Sequence, residues 1–370
     1  MSLSLTFENA QVLRPGGVDY APLSIAGGVI AQAPVGRRID LSGFRILPGI
    51  IDAHGDGFER HLAPRRGAMT DLAVGLASAE ADLAANGITT AMLAQFWSWE
   101  GGMRGPDFAR RMIEALARYR TLGTDMRVQL RFETHLLDDY DAIADLVQRH
   151  GIGFVVFNDH LPHDALAKGK RPPRLTGQAL KSGRSPEAHH ALLKRLHEAG
   201  PQVPAAMAGL AARLGEMGVI MGSHDDCTAQ GRATARRLGL RVAEFPETQE
   251  AAEAAAAAGD PVILGAPNVV RGGSHSGNVS AAQLIGDGIG NALASDYHYP
   301  APLQAALMLG DWGLVSSGPA RLLGLSDRGS LEPGKRADLV VLDQHGRVGA
   351  TIAGGRVTHL AGEAATRFIA

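Results

Sequence analysis

The feature that most constrains the fold is a regular alternation of short apolar runs with amphipathic stretches. The runs are Ile46–Ala53, Ile88–Ala94, Arg127–Glu133, Phe154–Asp159, Val219–Ser223, Leu240–Phe245, Pro261–Ala266 and Ala292–Asp296. Between them lie segments of helical periodicity: Asp71–Ala85, Pro106–Tyr119, Tyr140–Arg149, Thr228–Leu238, Glu247–Ala257 and Ser280–Leu284. Parallel strands need a crossover between them, usually a helix. Eight such units in succession predict an α/β chain closed as a (β/α)8 TIM barrel rather than opened as a doubly wound sheet.

The two ends follow a different rhythm. Residues 1–45 and 329–370 alternate in the β manner, with Gly16-Gly17 and Gly27-Gly28 as turns. Neither segment has enough apolar area to stand alone, so the two are expected to join in a small β-sandwich. That leaves 46–328 for the barrel. One connection, about 160–218, is far longer than a strand-to-helix link requires, and is expected to serve as a lid or an oligomer contact.

Bulk properties exclude several function classes. The formal net charge of −2 argues against a general nucleic-acid binder. No apolar run is long enough to span a bilayer, and the first residues lack a basic stretch followed by an apolar core. The single cysteine, Cys227, rules out an internal disulfide framework. A reducing cytoplasm is therefore the expected location, without nucleic-acid or membrane partners.

The strongest local signal is Leu47-Pro48-Gly49-Ile50-Ile51-Asp52-Ala53-His54-Gly55-Asp56. Strand side chains alternate with a period of two, so His54 and Asp56 share a face at the C-terminal end of the first barrel strand. Taken alone, His-x-Asp is an ordinary hydrogen-bonded turn. Later runs, however, also end in possible ligands: Glu133, His160, His224 and Asp296. Imidazole and carboxylate ligands converging on the catalytic rim of a barrel suit zinc, manganese or iron. His135 shares the face of Glu133 and is the leading alternative ligand. His61, His163, His275 and His298 rank lower, and His189, His190, His197, His345 and His359 read as ordinary surface or satisfied histidines.

A second signal concerns anions. Arg271-Gly272-Gly273-Ser274-His275-Ser276-Gly277-Asn278 follows the seventh strand and precedes a helix. Glycines allow backbone N–H groups to approach a phosphate, serines add hydroxyls, and a helix N-terminus adds its dipole. Ala165–Pro186 carries Lys168, Lys170, Arg171, Arg174, Lys181 and Arg184 with no acidic residue. Over a metal site this basic stretch would screen a polyphosphate, and Arg60, Arg65 and Arg66 could join it. The plainer alternatives are a Gly/Ser-rich turn capped by Asn278 or Ser280, and a solvated basic loop.

Over nearly its full length the chain resembles the amidohydrolase superfamily. The resemblance rests on the Leu-Pro-Gly-Ile-Ile-Asp-x-His opening, on Asp296, and on Gly334-Lys335-Arg336-Ala337-Asp338-Leu339-Val340. Within that group it looks like the PhnM-type phosphonate-metabolism hydrolases. The matching segments are His54 to Arg65, Ser223-His224-Asp225-Asp226 and Gly265 to Ser280. Such a resemblance implies cleavage of the phosphoanhydride in α-D-ribose 1-methylphosphonate 5-triphosphate, giving the 5-phosphate and pyrophosphate. It also implies one or two divalent metals per chain, and Asp296 as the base that takes a proton from the attacking water. The pattern departs from the superfamily in two respects. Asp56 replaces the second histidine of the usual His-x-His pair. No lysine precedes Lys168, so Glu133 stands in for a bridging carboxylated lysine. The paired histidines fall on the fourth and fifth runs, one earlier than the superfamily pattern. A homodimer is the default assembly for this group. The rival functions are an amide hydrolase or deaminase using the same metals on a non-phosphorylated substrate, and a non-catalytic barrel that serves as a scaffold.

Overall fold

The computed structural model describes residues 3–65, 68–69, 71–274 and 277–370. Eight parallel strands, hydrogen-bonded in chain order, form one sheet. They are β1 (Ile50–Gly55), β2 (Ile88–Trp97), β3 (Asp125–Glu133), β4 (Phe154–Asn158), β5 (Ile220–His224), β6 (Val242–Glu244), β7 (Val262–Gly265) and β8 (Ala292–Ala294). A parallel bridge between Gly55 and Asp296 brings the ends of β1 and β8 together, so the sheet is a nearly closed (β/α)8 barrel. Every residue of β1 and β2 is buried, as expected where a parallel sheet is covered on both faces.

The first apolar run divides where a single strand was expected. Arg45–Pro48 belongs to another sheet, and β1 starts only at Ile50. Gly49 makes the passage possible. A Cβ there would lie 2.3 Å from the Thr89 hydroxyl oxygen, so only glycine lets the backbone pass this close to β2.

The chain divides into two compact units: Met1–Leu93 with Tyr119–Arg127 and Ile263–Ala370, and Ala94–Arg118 with Val128–Val262. In the first, the chain ends build two further sheets. One has four strands in the order Val29–Ala31, Leu23–Ala26, Leu5–Glu8, Arg37–Asp40. The other has six: Arg356–Leu360, Val348–Ala353, Leu339–Leu342, Arg45–Pro48, Gln11–Arg14 and Gly17–Asp19. Phe7, Ile25, Ile39, Ile46, Leu339 and Ile352 share their core. A terminal helix, Gly362–Ile369, adds Ala364 and Phe368 to it; the β alternation of the tail did not announce this element.

In the second unit the long connection is helical, comprising His163–Ala167, Leu175–Ser182, Pro186–Glu198 and Val203–Glu216. It has its own small core of Trp99, Leu161, Leu166, Leu175, Leu193 and Leu196. Among the described residues no helix is long and apolar enough to cross a membrane.

One buried carboxylate sets the entry to β3. Helix Leu72–Ala85 starts on the Asp71 side chain, which accepts from the Ala73 and Val74 amides. Further along, Glu80 is 1% exposed and accepts from the amides of Leu122, Gly123 and Thr124 and from the Tyr119 hydroxyl. Four donors offset the desolvation of the charge and pin residues 119–124 in place. Glu80→Ala is expected to cost about 3 kcal/mol, because the buried amides lose their acceptor. The readout is the thermal midpoint, which should fall clearly; an unchanged midpoint would mean that water satisfies these amides.

Candidate active site

Strand β3 carries a row of polar side chains where its neighbours are apolar. Gln129, Arg131 and Glu133 alternate with Leu130 and Phe132, and all five are buried. The period of two puts the three polar groups on one face. Each meets a different partner. Gln129 donates to Glu244 at the end of β6. Arg131 Nη2 lies 2.7 Å from His224 Nε2 at the end of β5. Glu133 Oε1 meets His160 Nδ1 just past β4, while its Oε2 accepts from Trp99 Nε1 at 3.1 Å and from the His160 amide at 3.1 Å.

The two imidazoles are oriented by buried carboxylates. His160 Nδ1 is held by Glu133, and His224 Nδ1 by Glu244 at 2.8 Å; both carboxylates are fully buried. Their Nε2 atoms therefore turn toward one carboxylate, Asp225, at 3.6 Å from His160 and 3.4 Å from His224. These spacings are long for hydrogen bonds but close to the edge of a tetrahedron of ligands at about 2.0–2.1 Å, which is roughly 3.3 Å. His160, His224 and Asp225 thus form a group suited to a divalent ion, with carboxylates behind the rings in the arrangement that fixes metal-binding histidines. Arg131 currently donates to His224 Nε2 and must release it when that nitrogen takes an ion.

The electrostatics fit this picture. Burial opposes a charge on His160, but the neighbouring Asp225 and Glu133 carboxylates outweigh it and push the ring up to about 9. Burial, then the Arg131 charge, holds His224 low. Burial alone would raise Glu133 and Asp225. The bond to His160 brings Glu133 down, and the neighbouring His224, His160 and Arg131 bring Asp225 down. Arg131 itself lies over the Phe96 ring at 3.9 Å and is 4% exposed, so a cation is fixed beside the carboxylates.

In the other unit, the ends of β1 and β8 are stitched together. The Asp296 amide donates to the His54 carbonyl at 3.0 Å, and the Asp56 amide to the Asp296 carbonyl at 2.8 Å. Beneath them, Asp52 accepts from the Ser295 amide at 2.9 Å and from the Ser295 hydroxyl. Complete burial pushes the Asp52 carboxyl up to about 6. Of the glycines in His54-Gly55-Asp56-Gly57, the first is required here and the second sits in a tight space. A Cβ on Gly55 would lie 2.6 Å from Asp52 Oδ2 and 2.7 Å from Ser295 Oγ, and one on Gly57 3.2 Å from the Tyr299 ring. The backbones of His54, Asp56 and Asp296 are thereby joined at the ends of the two strands.

The anion loop sits one step further along than expected. Strand β7 runs directly into a short helix, Ala266–Arg271, and the glycine-serine segment follows that helix rather than the strand. Gly272 and Gly277 have φ of 80° and 81°, a conformation other residues adopt at a cost. Asn268 ties the ends of the loop, accepting from the Ala281 amide and donating to the Val279 carbonyl. Ser280, rather than Asn278, caps the next helix, Ala281–Gly286. Arg271 donates to the Tyr297 hydroxyl, and Arg60 reaches the Tyr297 carbonyl, so both cations border the residue after Asp296. Gly273, Ser274 and Asn278 are half-buried. His275 and Ser276 lie outside the described residues. Lys168 and Lys170 are exposed on the helical connection of the second unit.

Sequence reasoning missed Glu244, Asp225 and Arg131. The polar alternation Gln-Leu-Arg-Phe-Glu along β3 was a usable signal for Arg131. Another feature has no sequence signature. Of the four non-glycine residues with positive φ among the described residues, Asp225, Phe245 and Asp296 each follow a barrel strand closely. Such strain is concentrated where the surrounding structure holds a chain end in place for function.

No protein-family model matches the chain. It is 32% identical over 358 residues to the alpha-D-ribose 1-methylphosphonate 5-triphosphate diphosphatase of Escherichia coli strain K12, covering 91% of this chain and 94% of that protein. The chain belongs to this diphosphatase family of amidohydrolases. The solved structures agree in fold. A Xaa-Pro dipeptidase with bound methionine superposes with a TM-score of 0.65 at 14% identity, covering 96% of this chain and 99% of the other. An amidohydrolase from a Sargasso Sea sample gives 0.63 at 14% identity, covering 97% and 93%. A zinc-bound adenosine deaminase from Xanthomonas campestris gives 0.55 at 15% identity, covering 96% and 93%. As a member of the amidohydrolase family, the chain is a metal-dependent hydrolase.

A cysteine nucleophile is at odds with this chemistry and with the structure. Cys227 is exposed, yet partial burial and then its bond to Glu247 push the thiol up to about 12. A nucleophile needs the opposite shift. Allowing for the greater intrinsic reactivity of a basic thiolate, alkylation by iodoacetamide at pH 8 should be about a hundredfold slower than for free cysteine. Glu247→Gln should recover part of the rate. Labelling at the free-cysteine rate would overturn the assigned environment.

Proposed function

We propose that this amidohydrolase cleaves α-D-ribose 1-methylphosphonate 5-triphosphate to the 5-phosphate and pyrophosphate, a step of phosphonate catabolism. The observation that carries the reading is the near full-length similarity to the Escherichia coli enzyme of that name. Arg271 and Arg60 beside Tyr297, with the basic residues Lys168 and Lys170 on the helical connection, favour an anionic substrate over a neutral one. Within this reading His54, Asp56, Glu133, His160, His224 and Asp296 are the metal ligands of the barrel rim, and Gly272 to Asn278 with Arg271 form the phosphate cradle.

A divalent ion, zinc or alternatively manganese or iron, supplies Lewis acidity and brings the pKa of water toward neutrality. Asp296 accepts the proton of the attacking water. The bond that breaks joins the first phosphorus counted from the ribose to the oxygen bridging it to the second; the water oxygen stays on the first phosphorus, and pyrophosphate departs with the bridging oxygen. Arg271 stabilises the charge that builds on the phosphoryl oxygens.

Pyrophosphate release from α-D-ribose 1-methylphosphonate 5-triphosphate is the decisive assay. Asp296→Asn should lower kcat by about 10²–10⁴-fold, the scale of a lost general base, with an unchanged circular dichroism spectrum. Near-normal turnover by that variant would remove Asp296 from the reaction. Chelation should abolish activity, and added zinc or manganese should restore it. Arg271→Ala should raise KM about tenfold or more through the loss of a charge-assisted contact. Hydrolysis of N-acyl amino acids or nucleobases, with none of the triphosphate, would instead establish the amide hydrolase or deaminase alternative.

A further inference from the structure

A second cluster of metal-binding side chains lies in the same unit as His160 and His224 but shares no residue with their group. His135 lies two residues past the end of β3, Asp159 immediately past β4, and His163 opens the helix His163–Ala167. One ligand atom from each lies within 4.8 Å of the others. His163 Nε2 is 3.1 Å and 2.9 Å from the two Asp159 oxygens, and His135 Nδ1 is 3.5 Å from Asp159 Oδ1. The last spacing is too long for a useful hydrogen bond; the buried ring, 5% exposed, has its Nδ1 beside the carboxylate and 3.4 Å from the Thr134 hydroxyl, which can rotate away when that nitrogen takes an ion. Both imidazole–carboxylate spacings lie close to the roughly 3.3 Å edge of a tetrahedral site with ligands at about 2.0–2.1 Å.

A further histidine completes the arrangement. His197, from the helix Pro186–Glu198, places Nδ1 2.7 Å from Nδ1 of His163, on the opposite side of that ring from Asp159. When Nε2 of His163 binds a cation, Nδ1 carries the proton and donates it to His197. Binding is then accommodated without a change of partner, as in sites where an outer group fixes the ligand ring. These four residues and Glu198 line a cavity of about 630 Å³, so solvent and ions have access.

We propose that His135 Nδ1, the Asp159 carboxylate and His163 Nε2 form a separate site for a divalent transition ion such as zinc, with His197 as the positioning residue. Two imidazoles and a carboxylate are borderline ligands that favour zinc, manganese or iron over magnesium or calcium. Its count adds to that of the hydrolytic centre, and it stands whether or not the chain cleaves the triphosphate.

The test uses the full-length protein, stripped of metal and titrated with Co²⁺ as a coloured probe, with bound metal counted by mass spectrometry after gel filtration. His163→Ala and Asp159→Asn should each bind one ion fewer per chain than the parent protein, with unchanged circular dichroism and thermal midpoint. His197→Ala should keep the count but weaken that ion about 10–100-fold. The double variant His160→Ala/His224→Ala should still bind one ion. The proposal is overturned if His163→Ala and Asp159→Asn bind as many ions as the parent, or if the double variant binds none. Failure of the diphosphatase assay with the count as expected would leave this site standing.

Discussion

The candidate site depends on carboxylates buried behind histidines. Glu133 and Glu244 are fully buried, and each spends its charge on an imidazole Nδ1. An ionised carboxylate is expensive to take out of water, so each needs nearly all its lone pairs filled. They are filled from adjacent elements: Glu133 by Trp99 and the His160 amide, Glu244 by Gln129. In return the rings lose their freedom to rotate, and both Nε2 atoms face Asp225. The ring orientation needed for an ion thus exists before one arrives, and the change that binding demands is the withdrawal of Arg131 from His224 Nε2.

The same economy explains β3. A strand buried on both faces ordinarily reads as continuous hydrophobic sequence, and Leu130 and Phe132 conform. Gln129, Arg131 and Glu133 break the pattern on the inward face only, and each reaches a different strand end. Barrels hold such polar layers at the C-terminal rim, where loops of free length can supply partners. The positive φ values of Asp225, Phe245 and Asp296 mark the places where chains leaving the strands must turn sharply.

The succession of eight strands was legible because each is a short local signal bounded by turns. All eight strands occur within the runs or within a few residues of them, and helices such as Pro106–Arg118 and Tyr140–His150 end within a residue of their amphipathic segments. His160 lies just past the fourth barrel strand and His224 ends the fifth, in agreement with the strand count expected from sequence. What stayed hidden was relational. Glu244 gave no signal in a run taken as plain apolar strand, because its partner His224 is twenty residues away and Gln129 more than a hundred. The division at Gly49 was hidden for the same reason: the hydrophobic pattern is continuous through it, and only the approach of Thr89 makes glycine obligatory.

The long connection was read from its length alone, as a lid or a contact surface, and its interior gives it another role. Trp99 is the joint. Its indole N–H donates to Glu133, its carbonyl accepts from Arg184, and its ring lies in the small core with Leu161, Leu166, Leu175, Leu193 and Leu196. Apolar burial of this size contributes about 1.5–3 kcal/mol per large side chain, so the six together outweigh any single polar contact in the cluster. The insertion therefore holds Trp99, Trp99 holds Glu133, and Glu133 holds His160. A surface feature of the sequence is in this way part of the foundation on which the imidazole is aimed.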